Sequence, residues 1–434
     1  MKKSVLFLLT LAAPVFFSLA SASFAKEIHY VKTEGIVNPV MAEFLVKAVK
    51  DAEESKAEAL IIQLDTPGGL DLSMRDIVKA ILSSNVPVVV YVAPAGSRAA
   101  SAGVFIAYAA NVAAMAPGTN IGSAHPVTLG GGGEKPDATM MKKVENDAAA
   151  YIKGIALKRG RNAEWAEKAV RESVNITAED ALKLGVINFV AENREALLLK
   201  LDGMKTETVS GPRLIAAKGA VIVESEMNWR SRVLSAVTNP NVAYILLMIG
   251  LIGLYFELSN PGAVLPGVIG AVCLVLAFYS LQTLSVNYAG LLLIALAVIF
   301  FILELKVVSY GLLTVAGIIS LILGSLMLFD SPEPFMRVSV WVVMPTVAFM
   351  TIFIIGTMYY ALRIHKKKPI SGVEGIIKST GVVSDDFVDG TGKIFMEGEY
   401  WDAVSAEPLK KGDRARVLEV KGLVAKVEKE KSSF

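Results

Sequence analysis

Cysteine is almost missing from this sequence: Cys273 is the single example in 434 residues. One thiol excludes an intrachain disulfide and any cysteine zinc cluster. Histidine is nearly as scarce, and His29, His125 and His365 lie too far apart in sequence to show metal-ligand spacing. No metal and no cofactor is therefore expected. Charge is also thin, at 19% of residues, against about 25% in an ordinary soluble domain. The shortfall is concentrated. Between Arg232 and Arg363 the only charged residues are Glu257, Glu304, Lys306, Asp330, Glu333 and Arg337, which excludes a wholly soluble chain. An excess of one sign is absent too: 43 Lys and Arg face 41 Asp and Glu. A dedicated nucleic-acid binder would show a basic surplus, so no nucleic-acid partner is expected.

What the chain has in quantity is apolar sequence, with 53% hydrophobic residues and a mean hydropathy of +0.53. Charge-free intervals cover residues 233–256, 258–303, 307–329 and 338–362. One helix needs about 20 apolar residues to cross about 30 Å of hydrocarbon. The 46-residue interval therefore holds two spans, split by the polar stretch from Gln282 to Asn287, and five spans are predicted in all. The first is the weakest, because Asn239-Pro240-Asn241 shortens its start and Asn260-Pro261-Gly262 follows its end. Residues 1–25 follow the order of a secretory signal peptide: Lys2 and Lys3, an apolar run from Val5, then small residues up to Ala25. The tail Arg363-Ile364-His365-Lys366-Lys367-Lys368 is basic and predicts a cytoplasmic end. An odd number of spans then places residues 26–228 outside the cytoplasm and the C-terminal segment inside, in a multi-pass protein of the cell membrane.

Within residues 26–228, Ala59-Leu60-Ile61-Ile62 and Pro87-Val88-Val89-Val90-Tyr91-Val92 read as buried parallel strands, being short and rich in β-branched residues. Between them Leu72, Met74, Ile77, Val78, Ile81 and Leu82 recur at helical spacing. This strand–helix–strand alternation predicts an α/β layer fold. A later helix is predicted over Thr139 to Arg159, with Val144, Ala148, Tyr151, Ile152 and Ile155 on one face.

Two strand-to-helix turns carry unusual residues. The first, Asp65-Thr66-Pro67-Gly68-Gly69, has adjacent glycines that let the backbone present N–H groups to a ligand. The second runs from Ala95 to Gly103 and puts Ser101 at the start of a helix over Ala102–Tyr108, where the backbone potential is positive. Taken separately, Ser101 also fits an ordinary N-cap and Gly68-Gly69 an ordinary turn. Together they describe a nucleophile beside an oxyanion hole made by the Gly69 and Ala102 N–H groups. The candidate bases are His125, in Ser123-Ala124-His125-Pro126, and the lysines Lys135, Lys142 and Lys143. A lysine base must fall about three pKa units from 10.4, at a cost of about 4 kcal/mol, and burial against apolar side chains can supply that shift. Lys143 begins the helical register that carries Tyr151 and Ile152, whereas Lys135 follows the run Gly130 to Gly133. No Lys-Ser/Thr pair follows that run, so it reads as a flexible loop and not as a phosphate cradle.

Four segments in this order, Asp65 to Gly69, Arg98 to Gly103, Met115 to Gly122 and the helix from Lys143 to Tyr151, together resemble the long NfeD-family membrane serine proteases. The resemblance covers essentially the whole chain. It implies a Clp- or crotonase-like α/β protease domain, similar to signal-peptide peptidase A, over residues 26–228. It further implies an α-helical transmembrane region of about five helices over 233–362 and a small β-barrel (OB-fold) NfeD domain over 371–431. Carried over by position, Ser101 is the nucleophile and Lys143 the general base of a Ser-Lys dyad. Gly69 and Ala102 take the oxyanion positions, His125 is the alternative base, and Asp65 supports the turn. The implied partners are a stomatin/SPFH-type membrane protein, whose apolar segments are the implied substrate, and further copies of the chain in a homo-oligomer. The rival reading is a non-catalytic scaffold that organises stomatin-like assemblies.

The remaining sequence agrees with this plan. Gly375 to Val383, Gly392 to Glu397, Trp401 to Val404, Arg414 to Val420 and Leu423 to Val427 read as five short strands of a closed barrel. Its few aromatics and balanced charge favour a protein partner over nucleic acid. In the apolar region Gly311, Ala316, Gly317, Ser320, Gly324 and Ser325 permit close helix contact, within the chain or between copies. Glu257 and Glu304 stand at predicted span ends, where acids usually reach water, so they argue against an ion pathway more than for one.

Overall fold

The computed structural model describes residues 26–127, 138–259, 262, 264–284, 286–307, 309–329, 331, 334–365 and 376–430. The signal segment 1–25, the glycine run Gly130 to Gly133 with Lys135, and the basic residues Lys366 to Lys368 lie outside the described residues. Two units divide the chain, one up to Val347 and one from Ala348.

The first unit opens with β1 (Glu27–Glu34), α1 (Pro39–Glu54), β2 (Ala59–Asp65), α2 (Asp71–Leu82) and β3 (Val88–Val92). It continues through β4 (Arg98–Ala100), α3 (Ala102–Ala109), β5 (Val112–Met115), β6 (Asn120–Gly122), α4 (Ala138–Arg159) and α5 (Ala163–Arg171). Then follow β7 (Asn175–Thr177), α6 (Ala178–Lys183), β8 (Phe189–Val190), α7 (Arg194–Leu201), β9 (Lys205–Thr208), β10 (Gly211–Leu214) and β11 (Val221–Ser225). Six strands form one sheet in the order β11-β1-β2-β3-β5-β8, and every pairing in it is parallel. A parallel sheet is covered on both faces, and this one has a core on each side. Leu60, Ile62, Leu64, Val88, Val90 and Val92 face α1 to α5. Ala59, Ile61, Val89 and Tyr91 face a smaller core that includes Leu197 and Leu201 of α7. The expected α/β layering is present, and α2 and α4 lie where their apolar spacing put them. Leu72 is the exception, 77% exposed at the start of α2.

Beside the large sheet stands a small one in the order β4-β6-β7. β4 and β6 run parallel, pairing Arg98 with Asn120 and Ala100 with Gly122. The small sheet carries the turn that ends in Ser101.

After α8 (Trp229–Val237) come five apolar helices: α9 (Pro240–Ser259), α10 (Val264–Thr283), α11 (Tyr288–Lys306), α12 (Leu312–Met327) and α13 (Val340–His365). Among the described residues three are long and apolar enough to cross a membrane, over Pro240–Ser259, Val264–Gln282 and Val340–Thr357. The apolar parts of the other two, Tyr288–Glu304 and Leu312–Met327, are shorter, at about 25 Å and 24 Å, below the roughly 30 Å of hydrocarbon. Five apolar helices are thus present, but only three meet the span length.

The small residues of this region pack within the chain. A Cβ at Gly317 would stand 2.5 Å from the Phe301 ring, and one at Gly324 2.7 Å from the Gly290 carbonyl oxygen. Ser320 Oγ donates to the Leu293 carbonyl at 2.7 Å, and Tyr244 Oη donates to Ser325 Oγ at 2.9 Å. Glu304 is a capping group. Its carboxylate accepts from Ser309 Oγ at 2.6 Å, from Gly311 N–H at 3.1 Å and from Thr314 N–H at 2.9 Å, satisfying the orphan donors at the start of α12.

In the second unit β12 (Thr380–Val383), β13 (Thr391–Met396), β14 (Glu399–Val404), β15 (Arg414–Lys421) and β16 (Val424–Lys429) close a barrel in the order β12-β13-β14-β16-β15. Val383, Ile394, Ala403, Ala415, Val417, Ala425 and Val427 fill it. Five strands are present where the sequence predicted five, but the first, expected from Gly375, begins only at Thr380.

Candidate active site

The site begins where β2 stops. Thr66 is drawn toward β4, donating its N–H to the Arg98 carbonyl at 2.8 Å and accepting from Ala100 N–H at 3.1 Å. Its hydroxyl accepts from Gly68 N–H at 3.0 Å and closes the turn. On the opposite side Val37 N–H donates to Gly68 O at 2.9 Å and Leu70 N–H to Val37 O at 2.8 Å. This makes a parallel bridge between Val37 and Gly69, in which Gly69 turns its own N–H away from Val37. Asp65 Oδ1 accepts from Arg98 N–H at 3.0 Å, so this carboxylate supports the turn.

Ser101 lies between β4 and α3 with φ 52° and ψ −114°. A residue other than glycine held there costs on the order of 1–3 kcal/mol and persists only where its surroundings over-determine it. Here Ser101 N–H donates to the Gly122 carbonyl of β6 at 3.1 Å. The two turns also interlock at van der Waals distance. A Cβ on Gly68 (φ 119°) would stand 2.6 Å from Ser101 Cβ, and one on Gly69 2.2 Å from the Val37 carbonyl oxygen. The hydroxyl makes no capping bond to α3, so the ordinary N-cap reading of Ser101 does not hold. Neither Gly69 N–H nor Ala102 N–H has a backbone acceptor among the described residues.

Ser101, Ala102 and Gly69 open into a cavity of about 530 Å³ that Lys143 also lines. Leu70, Met74, Phe105, Val144, Phe335 and Met336 make up its apolar lining. Its charged lining is an ion-pair cluster centred on Arg75, 2.8 Å from Asp71 Oδ2 and 2.5 Å from Asp147 Oδ2. The guanidinium lies 4.5 Å from the centre of the Tyr151 ring. Burial opposes the Arg75 charge, yet hydrogen bonds and attraction from Asp71 and Asp147 outweigh it and raise its pKa. Burial also raises the Tyr151 phenol, against the pull of Arg75.

The predicted residues divide sharply. Ser101, Gly69, Ala102 and Lys143 meet at one cavity. His125 does not join them: Ala124 and Pro126 line the cavity, but the His125 ring reaches the Val170 carbonyl through Nδ1 at 2.9 Å. A carbonyl only accepts, so Nδ1 carries the proton in this contact. Lys143 stands at the cavity but is exposed in the single chain; the apolar burial anticipated for it is not supplied by its own domain. The Arg75 cluster and Phe335-Met336 were not foreseen. Arg75 follows Met74 on a helix already recognised, so its place at the site was readable from that register. Phe335 and Met336 lie more than 200 residues from Ser101, in the connection between two apolar helices, with no local signal.

The chain aligns with the membrane-bound protease PH1510 of Pyrococcus horikoshii at 36% identity over 424 residues, 95% of this chain and 96% of that protein. The chain belongs to the NfeD family. Three NfeD segments match in order: the NfeD1b N-terminal domain over residues 27–209, the NfeD integral membrane domain over 241–360 and the NfeD-like C-terminal, partner-binding domain over 373–429. The membrane protein NfeD1b of Bacillus subtilis is 26% identical over 91% of both chains. Among solved structures, the 1510-N membrane protease specific for a stomatin homolog, from Pyrococcus horikoshii, is 34% identical with a TM-score of 0.43, over 49% of this chain and 99% of that one. ClpP1 from Listeria monocytogenes is also similar, at 23% identity and a TM-score of 0.32, over 39% of this chain and 94% of that one. This NfeD-family chain is thus a membrane protein that joins an α/β domain to apolar helices and a closed five-stranded barrel.

Proposed function

We propose that the chain is a membrane-bound serine endopeptidase acting through a Ser101–Lys143 dyad. The observation that carries this reading is Ser101 itself: a strained serine, with a hydroxyl not used as a cap, opening into one cavity with a lysine and two N–H groups without backbone acceptors. Neutral Lys143 takes the Ser101 hydroxyl proton as Oγ attacks the scissile carbonyl. The Gly69 and Ala102 N–H groups receive the oxyanion. The lysine then hands its proton to the leaving amine, and water, deprotonated by the same lysine, releases the acyl group. Because Lys143 is exposed in the single chain, a substrate or a second copy seated over the cavity supplies the desolvation this mechanism needs.

Stomatin-type membrane proteins are the proposed substrate and partner. The related 1510-N protease is specific for a stomatin homolog, and the apolar lining of the cavity suits an apolar segment of such a protein. The proposed orientation puts the α/β domain outside the cytoplasm and the barrel inside, as the exported N-terminal pattern and the basic tail predicted. The exposure of Lys143 favours one other reading, a scaffold in which the site is never completed.

Peptide cleavage by the full chain in detergent decides between them. Ser101→Ala and Lys143→Ala are each expected to lower kcat/KM on apolar peptides by at least about 10³-fold, on the scale seen when a catalytic dyad or triad member is removed. His125→Ala should retain most activity. Four folded but equally inert proteins would leave the scaffold as the better account.

A further inference from the structure

Two residues of the Ser101 cavity come from the apolar half of the chain. The three-residue turn Pro334–Met336, between α12 and α13, brings Phe335 and Met336 to the cavity that Leu70, Met74, Phe105 and Val144 also line. Met336 is only 6% exposed.

A short series of hydrogen bonds links the elements around the turn. Asn38, next to the Val37 that pairs with Gly69, donates through Nδ2 to Thr238 Oγ1 at 2.7 Å, at the end of α8. Two residues into α9, Asn241 Oδ1 accepts from Ser339 N–H at 2.8 Å, just before α13. Arg337 Nε in turn donates to the Ser331 carbonyl across the base of the turn. Asn38 and Asn241 thus tie the end of α8 to the start of α1 and the start of α13 to the start of α9.

We propose that Phe335 and Met336 are specificity-determining residues: they complete a subsite beside Ser101 that takes one large apolar side chain of the cleaved segment. This rests on the peptidase reading above. The chemistry fits the occupant. The apolar lining residues they join have no hydrogen-bonding side chains, so a polar substrate residue placed against them loses water without compensation. Methionine at positions 74 and 336 lets this lining adapt to Leu, Phe or Met alike. The polar lining of the same cavity, with Ser101, Lys143 and the Arg75 cluster, is left for the peptide backbone.

The test uses the full chain in detergent with pairs of fluorogenic peptides that differ at one scanned position, Leu or Phe against Ala. The double substitution Phe335→Ala with Met336→Ala should cut kcat/KM about tenfold for the large-residue peptide at one position, the lower end of what a hydrophobic pocket discriminates. The Ala partner should change less than twofold, the loss should lie in KM, and Phe335→Leu should restore the preference. An equal loss on every peptide would mean a packing role and overturn the proposal. A gain on every peptide would make the turn a plug and also overturn it. A parallel arm needs no turnover. With Ser101→Ala protein, fluorescence anisotropy should show the Leu peptide binding about tenfold more weakly after the double substitution. Unchanged binding there would sink the subsite, whereas binding loss with no cleavage by wild type would sink only the peptidase reading.

Discussion

Ser101 shows how much one residue's backbone can say. Its φ of 52° is disfavoured for any side chain with a Cβ, and glycine would relieve it. Ser101→Gly should therefore raise the thermal midpoint of the α/β domain above that of Ser101→Ala, by about 1 kcal/mol or roughly 2–4 °C in a domain of this size. Both variants should be inert. Equal midpoints would mean that the turn is not strained. The glycines facing Ser101 were legible as a pair in the sequence, but their reason was not: Gly68 meets Ser101 and Gly69 meets Val37. The resemblance put Lys143 first and His125 second as the base, but where the two side chains stand was closed to the sequence. The His125 ring meets the Val170 carbonyl, and Lys143 lines the Ser101 cavity.

At the scale of elements, periodicity did most of the work. The alternation of β2, α2 and β3 and the long apolar face of α4 were readable because strand and helix repeats differ, at 2.0 and 3.6 residues. Helix length was harder to read. Absence of charge marked α11 and α12 as spans, yet their apolar stretches Tyr288–Glu304 and Leu312–Met327 are short. Glu304 illustrates why composition misleads about acids in such regions. Its carboxylate caps α12, and a charge-assisted bond of this kind contributes more than a neutral one. Glu304→Gln should lower the thermal midpoint of the detergent-solubilised chain, with a loss of about 1 kcal/mol, and Glu304→Ala about 2 kcal/mol. If liposomes containing the wild type conduct ions and those with Glu304→Gln do not, capping is an insufficient account.

At the scale of the whole molecule, the short distance along the chain from the site to a candidate membrane span is the main consequence. Val340 begins a candidate membrane span four residues after Met336, and four extended residues reach at most about 14 Å. With Val340–Thr357 in a bilayer, the Ser101 cavity would lie within reach of its surface. A peptide anchored to liposomes by an acyl chain should be cut fastest when a spacer of a few residues joins the anchor to the scissile bond. Cleavage should decline as the spacer grows, since effective concentration falls with linker length. A rate independent of spacer length would contradict this placement.

The sequence by itself determined the architecture and the chemistry on offer. Apolar runs without charge can only be buried in lipid or protein, strand alternation in the tail can only close or pair, and a serine after a small-residue turn beside paired glycines offers a nucleophile as well as a cap. These are local properties, written within a few residues of one another. Tertiary structure decided what depends on distance. It brought Gly69, Ser101 and Lys143 to one cavity, turned His125 away and left Lys143 exposed. It also set Phe335 and Met336 beside a serine more than 200 residues earlier. No local repeat encodes such a meeting, because it arises from the packing of whole elements and from a few buried polar contacts such as Asn38 with Thr238.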